Sequence, residues 1–203
     1  MSGYRVGYII GSLSTDSINR TLAKALIRLA PSQLAFVEIP IGALPLYNRD
    51  FDNDYPQAGR ALKDAIAAVD AVLFVTPEYN RGIPGCLKNA IDWASRPHGT
   101  NSFAHKPSAV IGASPGKIGT AVGQQSLRIV LGFCDSPLMA APEAYLQFTP
   151  GLITEAGRSP TREPRSSYAI SSRRSKCSWT VSSPCCRASA DKQRSFQDAR
   201  VGP

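Results

Sequence analysis

The sequence predicts an α/β domain built on a parallel β-sheet that carries helices on both faces. Apolar runs of strand length alternate along the chain with segments of helical periodicity, as where residues 71–76 are followed by 85–95. The runs are almost continuously apolar, which is typical of strands buried on both faces of a parallel sheet. Five such runs within about the first 150 of 203 residues suit the doubly wound strand order 2-1-3-4-5, the order of flavodoxin-like folds.

Each element is predicted from its own pattern. The first helix follows from the spacing of Leu22, Ala25, Leu26 and Leu29, which places four apolar side chains on one face. The predicted strands are residues 5–10, 33–40, 71–76, 107–113 and 140–147. The predicted helices run from Asn19 to about Ala30 and over residues 57–69, 85–95 and 120–133. Residues 42–56, rich in Asp, Asn and Pro, are expected to form a long irregular loop.

The charge distribution argues against a nucleic-acid partner. The net charge is +8, but residues 1–155 hold 13 Lys and Arg against 12 Asp and Glu. Residues 156–203 hold 10 Lys and Arg against 3 Asp and Glu, so nearly all of the net positive charge lies in this segment. The folded part therefore offers no basic surface for DNA or RNA. No apolar run approaches the ~20 residues that a membrane span needs. No secretory signal is present, and we expect a cytoplasmic protein with no membrane partner.

The composition changes after residue 155 and divides the chain in two. We predict a domain over residues 1–155 and a basic tail over residues 156–203, which holds 11 Ser, 8 Arg and 3 Cys. This composition predicts disorder. The tail is either a functional basic extension or, as we favour, the product of a shifted reading frame. The five cysteines show no Cys-x-x-Cys or paired Cys/His spacing, so no metal site is expected.

The loop after the first strand, residues 11–19, is the first candidate binding segment. It opens a helix, where backbone N–H groups and the helix dipole favour an anion. Its side chains Ser12, Ser14, Ser17 and Asn19 are short and polar, which suits the terminal phosphate of a mononucleotide. The alternative is that Ser17 only caps the helix after a polar turn.

Two further polar loops follow strands three and four. Residues 77–80, Pro-Glu-Tyr-Asn, offer the ring of Tyr79 for stacking and backbone groups for the edge of a heterocycle. Residues 114–119 include Ser114 and Gly116. Right-handed crossovers place strands one, three and four side by side with their carboxyl ends together. The three loops are therefore expected to converge on one crevice.

These segments resemble the NADPH-dependent FMN reductase family. The resemblance rests on Gly-Ser-Leu-x-x-x-Ser-x-Asn at residues 11–19, and on Thr-Pro-Glu-Tyr-Asn at 76–80 followed by Pro-Gly-x-Leu-Lys-Asn-Ala-Ile-Asp-Trp at 84–93. It covers about residues 4–153 and is strongest to bacterial quinone and chromate reductases. It implies non-covalent FMN, NAD(P)H as co-substrate, a homodimer or homotetramer, and two-electron reduction of quinones, with chromate or free flavin as further acceptors.

The resemblance also implies roles for individual residues. Ser12, Ser17 and Asn19 would hold the phosphate. The isoalloxazine would be lined by Pro77, Glu78, Tyr79 and Asn80, with Ser114 and Gly116 near the ring. No protein acid, base or nucleophile is implied, because the flavin carries the chemistry.

Two departures from the family pattern leave alternatives open. Members commonly have Arg where this chain has Ser14, and a hydroxyl cannot replace a guanidinium that grips phosphate. The tail also stands where the family has a closing amphipathic helix.

The alternatives are a flavodoxin-type electron carrier without substrate turnover, an azoreductase, or an inactive product of the shifted frame.

Overall fold

A computed structural model describes residues 3–154 and residue 157. Apart from Gly157, the predicted tail lies outside the described residues, so its disorder and its shifted frame stay predictions. The boundary between the two predicted domains, at residue 155, falls outside the described residues as well.

The described residues form one five-stranded parallel sheet with four α-helices. The strands are β1 (Tyr4–Ile10), β2 (Leu34–Glu38), β3 (Ala71–Val75), β4 (Ser108–Ser114) and β5 (Tyr145–Gln147). The helices are α1 (Ile18–Leu29), α2 (Gln57–Ala67), α3 (Gly85–Ser95) and α4 (Ala121–Phe133). The strand order is β2-β1-β3-β4-β5 and every neighbouring pair is parallel. The predicted flavodoxin-like fold is confirmed.

Two local predictions differ from the structure. The fifth strand is three residues long and begins at Tyr145, not at residue 140. Upstream of it, Leu138 makes a single bridge with Ser108, and Pro142 has no N–H with which to continue the pairing. The loop at residues 42–56 contains a short 3₁₀ helix, Arg49–Asp52, whose first turn is capped by the side chain of Asn48.

One face of the sheet, the three-helix face, is covered by α2, α3 and α4. Its centre is Trp93, which is fully buried and touches the rings of Tyr47, Phe51 and Tyr55. The other buried members of this core include Ile9, Ile66, Val72, Phe74, Leu87, Ile91, Val110, Leu127 and Leu131. Strand and helix side chains interdigitate here as in an ordinary close-packed core.

The opposite face, the one-helix face, is covered by α1 among the described residues. Its fully buried apolar members are Ile10, Leu22, Ala23, Val75 and Ala113. The strand side chains Tyr8, Leu73, Ile111 and Leu146 on this face are only partly buried. The two faces of the same sheet therefore differ in how completely they are packed.

The helices of the described residues are short. The longest, α4, has 13 residues, against the ~20 that a bilayer-spanning helix needs. Across residues 3–154, no helix has both the length and the apolar character required to cross a membrane. In the same range, no three His, Cys, Asp or Glu side chains are grouped as metal ligands would be.

Candidate functional site

The candidate site is organised around Thr76, the first residue after β3. Thr76 is fully buried. The residues next to it on the two adjacent strands are glycines, Gly11 after β1 and Gly112 in β4. A Cβ at Gly11 would overlap the hydroxyl of Thr76, and one at Gly112 would overlap its carbonyl oxygen. Glycine at both positions allows the three strand ends to pack directly against one another. The loops that follow β1, β3 and β4 therefore begin at adjacent points on one edge of the sheet.

The loop after β1 offers hydrogen-bond donors at the N-terminus of α1. The hydroxyl of Ser17 accepts the N–H of Arg20 at 3.4 Å and caps the helix, and the hydroxyl of Ser12 accepts the N–H of Ser14 at 3.3 Å. Each hydroxyl accepts that bond through one of its two lone pairs, so its own proton can be donated to an anion. The first-turn N–H groups of a helix add further donors and a positive dipole end. This donor set fits a phosphate monoester.

Asn19 is buried one residue inside α1 and is held by the sheet. Its side-chain amide donates to the carbonyl of Ala113 at 3.0 Å and accepts the N–H of Ala113 at 2.9 Å. This paired contact fixes α1 against β4 and so sets the position of the loop that carries Ser12, Ser14 and Ser17. The predicted contact of Asn19 with a phosphate stays a prediction.

The loop after β3 folds back as a tight hairpin. Tyr79 and Gly82 exchange both backbone hydrogen bonds, at 3.0 and 2.9 Å. Asn80 and Arg81 between them have φ values of +51° and +64°, the conformation of a type I′ turn. Tyr79 is 52% exposed, so its ring is accessible for stacking. Sequence patterns did not predict this turn, because Asn-Arg lacks the glycine that usually marks it.

Glu78 turns its carboxylate away from solvent and onto α4. One oxygen accepts the N–H of Gly123 in the first turn of α4 at 2.9 Å, and the other lies 3.3 Å from the guanidinium of Arg81. A carboxylate at a helix N-terminus is stabilised by the helix dipole. Glu78 therefore anchors the hairpin to α4, a role that sequence reasoning missed. No local pattern links residues 45 positions apart.

The loop after β4 is ordered by its own polar contacts. The hydroxyl of Ser114 accepts the N–H of Gly116 at 3.0 Å, and the carbonyl of Pro115 accepts the side-chain amide of Gln147 at 3.2 Å. Gly116 is exposed and Ser114 is partly buried. On the β3 side, the carbonyl of Pro77 accepts the hydroxyl of Thr76 at 2.9 Å. Both loops thus present their backbone at the same edge of the sheet.

Cys86 lies between the first two loops but is not arranged as a nucleophile. Its thiol faces the carbonyl of Gly11 at 3.7 Å, and burial raises the pKa of that thiol. A raised pKa keeps the sulfur protonated at neutral pH. Cys86 also packs, partly buried, against the core of the three-helix face.

These features define a class of protein before any comparison. A loop with phosphate donors at the first helix, a hairpin with an exposed aromatic ring, and a third polar loop meet at the carboxyl edge of a doubly wound sheet. That edge is where such sheets bind nucleotides. The fold and site define a flavodoxin-like protein with a mononucleotide-type crevice.

Comparison with known proteins identifies the family. The NADPH-dependent FMN reductase family matches residues 4–150, and the chain belongs to this family. A 2-hydroxy-1,4-benzoquinone reductase of a Burkholderia species is 49% identical over 153 residues, 75% of this chain and 84% of the relative. An NAD(P)H-dependent FMN reductase of Pseudomonas aeruginosa is 40% identical over 151 residues, 74% of this chain and 81% of the relative.

A solved structure is similar over the same region. The flavoenzyme FerB of Paracoccus denitrificans, an NAD(P)H:acceptor oxidoreductase, superposes with a TM-score of 0.75 at 46% sequence identity. The match covers 78% of this chain and 87% of that one. The resemblance inferred from the motifs at residues 11–19 and 76–93 is thereby confirmed.

Proposed function

We propose that this chain is an FMN-dependent NAD(P)H oxidoreductase that reduces quinones by two electrons, with chromate or free flavin as further acceptors. The observation that carries the proposal is the meeting of three polar loops at Thr76, within a chain that belongs to the NADPH-dependent FMN reductase family. Relatives at 48–49% identity are named quinone reductases, which supports a quinone as the acceptor.

The first loop would hold the phosphate of FMN. Ser12, Ser14 and Ser17 provide hydroxyl donors, and the first turn of α1 provides backbone N–H groups. Asn19 would act mainly by holding α1 in place through Ala113. The chain has no arginine at position 14, so the phosphate would be bound by neutral donors and the helix dipole, a weaker set than one with a guanidinium.

The second and third loops would hold the isoalloxazine. Pro77, Tyr79 and Asn80 present backbone groups and a ring at the edge of the sheet, while Glu78 fixes the hairpin on α4. Ser114 and Gly116 border the same edge. Gly85 is exposed at the start of α3, and a Cβ there would meet no atom within 4 Å. Residue 85 would therefore not obstruct a ring bound nearby.

FMN, when bound, supplies the hydride and electron chemistry. The residues of the chain are proposed to bind and orient it and to leave one ring face open to the nicotinamide and then to the acceptor. No side chain of the site is arranged as an acid or base for this reaction. Burial raises the pKa of the Cys86 thiol, which keeps it protonated at neutral pH. The carboxylate of Glu78 accepts the N–H of Gly123 and pairs with the guanidinium of Arg81.

We also propose that the chain forms a homodimer or homotetramer. Helix α4 exposes the large apolar side chains of Ile129 and Phe133, 75% and 91% accessible, on the side turned away from the sheet. Contiguous exposed apolar surface is typical of protein interfaces. Light scattering should give a mass of two or four chains, and Phe133→Lys should reduce it. A monomer at micromolar concentration would contradict the proposal.

The proposed function is tested by anaerobic spectroscopy of the protein supplied with FMN. We expect an absorption spectrum of bound flavin, bleaching when NADPH or NADH is added, and recovery when a benzoquinone is added. Initial rates with quinones, chromate, an azo dye and free FMN then rank the acceptors. Absence of bound flavin, or no bleaching with either dinucleotide, would overturn the proposal. Bound flavin that neither dinucleotide bleaches would instead indicate an electron carrier, because oxidation of NAD(P)H by the protein alone would exclude that class.

A further inference from the structure

We propose that Asn89 is a positioning residue that fixes residues 45–47, here called the 45–47 segment, as a side wall of the crevice. Leu46, in the middle of this segment, then determines specificity, because it favours electron acceptors whose ring carries alkyl groups over small polar acceptors. The proposal rests on the proposed function, because it concerns the acceptor that reacts at the same site. Asn89 belongs to the motif at residues 84–93, and the proposed function gives residues 86–93 no role in binding.

Asn89 holds the 45–47 segment at both ends. Its side-chain N–H donates to the carbonyl of Pro45 at 2.9 Å, and its side-chain carbonyl accepts the N–H of Tyr47 at 2.8 Å. One side chain thus binds the backbone on either side of Leu46. These two bonds need a donor and an acceptor on the same group, which an amide provides and alanine does not.

Trp93, one turn further along α3, reinforces this contact. Its indole N–H donates to the same carbonyl of Pro45 at 2.7 Å. Its ring, which is fully buried, meets the ring of Tyr47 edge to face, with the centroids 5.2 Å apart. The hydroxyl of Tyr47 also donates to the carboxylate of Asp52 at 2.9 Å. The 45–47 segment is therefore held in one position against α3.

The 45–47 segment connects two parts of the crevice. It follows β2, which is parallel to β1, so it leaves the sheet at the same edge as the site loops. Gly42 lies against the first loop, because a Cβ at this residue would stand 3.4 Å from the Leu13 side chain. At the other end, Asn89 lies four residues after Gly85, the first residue of α3. That spacing is about 6 Å along the helix axis. The segment therefore runs from the first loop to the beginning of the helix that follows the hairpin.

Leu46 is the apolar part of this wall. It is 82% exposed, although the backbone on both sides of it is anchored. Leu13 on the first loop and Tyr79 on the hairpin are exposed as well. Loops after three neighbouring strands, β2, β1 and β3, thus each present an exposed apolar side chain. Alkyl groups on an acceptor would lose water-exposed surface against Leu46, and a small polar acceptor has no such surface to bury.

The first test compares two acceptors, tetramethyl-1,4-benzoquinone and ferricyanide, in the FMN-loaded enzyme. In Leu46→Ser, we expect KM for the quinone to rise about tenfold at unchanged kcat, because its methyl groups lose an apolar neighbour. KM for ferricyanide should stay the same. Leu29→Ser is the matched control, since Leu29 is also exposed but ends α1, about 18 Å along the axis from the crevice. It should change neither constant.

A double variant separates positioning from a merely structural role. Asn89→Ala should raise KM for the quinone, because the 45–47 segment loses its fixed position. In Leu46→Ser/Asn89→Ala, the rise should be no larger than in Leu46→Ser alone, since Asn89 acts through Leu46. An unchanged KM in Asn89→Ala, effects that multiply in the double variant, or an equal rise in KM for ferricyanide would each overturn the proposal.

A second measurement does not depend on turnover. The oxidised protein supplied with FMN is titrated calorimetrically with tetramethyl-1,4-benzoquinone, and no electron is transferred because no NAD(P)H is present. The dissociation constant should rise about tenfold in Leu46→Ser and stay the same in Leu29→Ser. If the wild type reduces no quinone, the proposed function fails, and this titration alone decides the role of Leu46. An unchanged dissociation constant in Leu46→Ser, or no binding by the wild type, would then overturn it.

Discussion

The two faces of the sheet are packed to different degrees, although they share the same five strands. On the three-helix face, Val72 and Phe74 of β3 are completely buried beneath α2, α3 and α4. On the one-helix face, Leu73 lies between them in sequence yet is only partly buried. Because successive side chains of a strand point to opposite faces of the sheet, β3 alone presents side chains to both faces. Most of the stability of the described domain is therefore expected to come from the three-helix face.

The site nevertheless depends on both faces. Asn19 ties α1, from the one-helix face, to Ala113 of β4. Glu78 ties the hairpin after β3 to α4, from the three-helix face. Each contact joins a loop of the crevice to an element it does not follow in sequence. A substitution that loosens the packing of either face should therefore weaken binding at the crevice as well as lower the free energy of unfolding.

The largest expected effect comes from a matched pair of leucines. Leu127→Ala on the three-helix face should lower the free energy of unfolding by about 3 kcal/mol, because its side chain is fully buried. Leu73→Ala on the one-helix face should cost about half of that, because the side chain is already partly exposed. Urea unfolding followed by circular dichroism measures both. Equal losses would show that the two faces are equally packed, against this account.

The next effect concerns the contact between α1 and β4. Asn19→Ala leaves the buried N–H and carbonyl of Ala113 without their partner, which should cost about 2 kcal/mol of stability. It should also weaken FMN binding, because the first loop loses its fixed position. The control is Asn48→Ala, an exposed asparagine that caps the 3₁₀ helix. Full stability in Asn19→Ala would show that the contact does not hold α1 in place.

The three-helix face should also respond to alkaline pH through Tyr55. Its hydroxyl donates to the carbonyl of Trp93, and burial, followed by the charges of Tyr47 and Asp52, raises the pKa of Tyr55 to about 12. The unfolded chain has the ordinary value of 10.0. The folded protein therefore keeps this proton longer than the unfolded chain does.

The sign of the effect follows from this difference. The stability contributed by Tyr55 is complete below pH 10 and is lost as the pH rises toward 12. Urea midpoints measured between these pH values should fall steadily in the wild type. In Tyr55→Phe, which retains the ring against Trp93, the fall should be shallower. The same pH dependence in both proteins would mean that Tyr55 is not the responsible group.

The smallest expected effect lies at the crevice. Ser14→Arg should tighten FMN binding by about tenfold, because it would add a guanidinium to the neutral donors proposed to bind the phosphate. Thr15→Arg is the matched control, since it adds the same charge one residue further along an exposed loop. Fluorescence quenching of FMN gives both dissociation constants. If both variants bind FMN equally tightly, the gain reflects general charge attraction and not a contact of residue 14.

Much of the fold was predictable because its signals are local. The continuous apolar runs of β1, β3 and β4 predict buried parallel strands, and the handedness of the crossovers then fixes the order and the shared edge. The N-cap at Ser17, given above as the alternative to a phosphate contact, could be inferred from the residue type alone. Fold and family needed no information beyond these patterns and the motifs.

The remainder depends on contacts between distant residues. Nothing around Glu78 shows that its carboxylate reaches Gly123, and nothing around Asn19 shows that its amide pairs with Ala113. The short β5 and the 3₁₀ helix at Arg49–Asp52 depend on the packing and capping of irregular segments. The positions of the site loops were thus predictable, but the bonds that hold them were not.

The most direct test of the central claim, a crevice that holds a phosphate at one end and a flavin ring at the other, is titration of the protein with FMN and with riboflavin. Both ligands offer the same ring, and only FMN carries the phosphate that the loop with Ser12 and Ser17 would bind. We expect one FMN per chain, bound about a hundredfold more tightly than riboflavin, since several charge-assisted bonds are involved. Equal affinity for the two flavins, or binding of neither, would contradict the account.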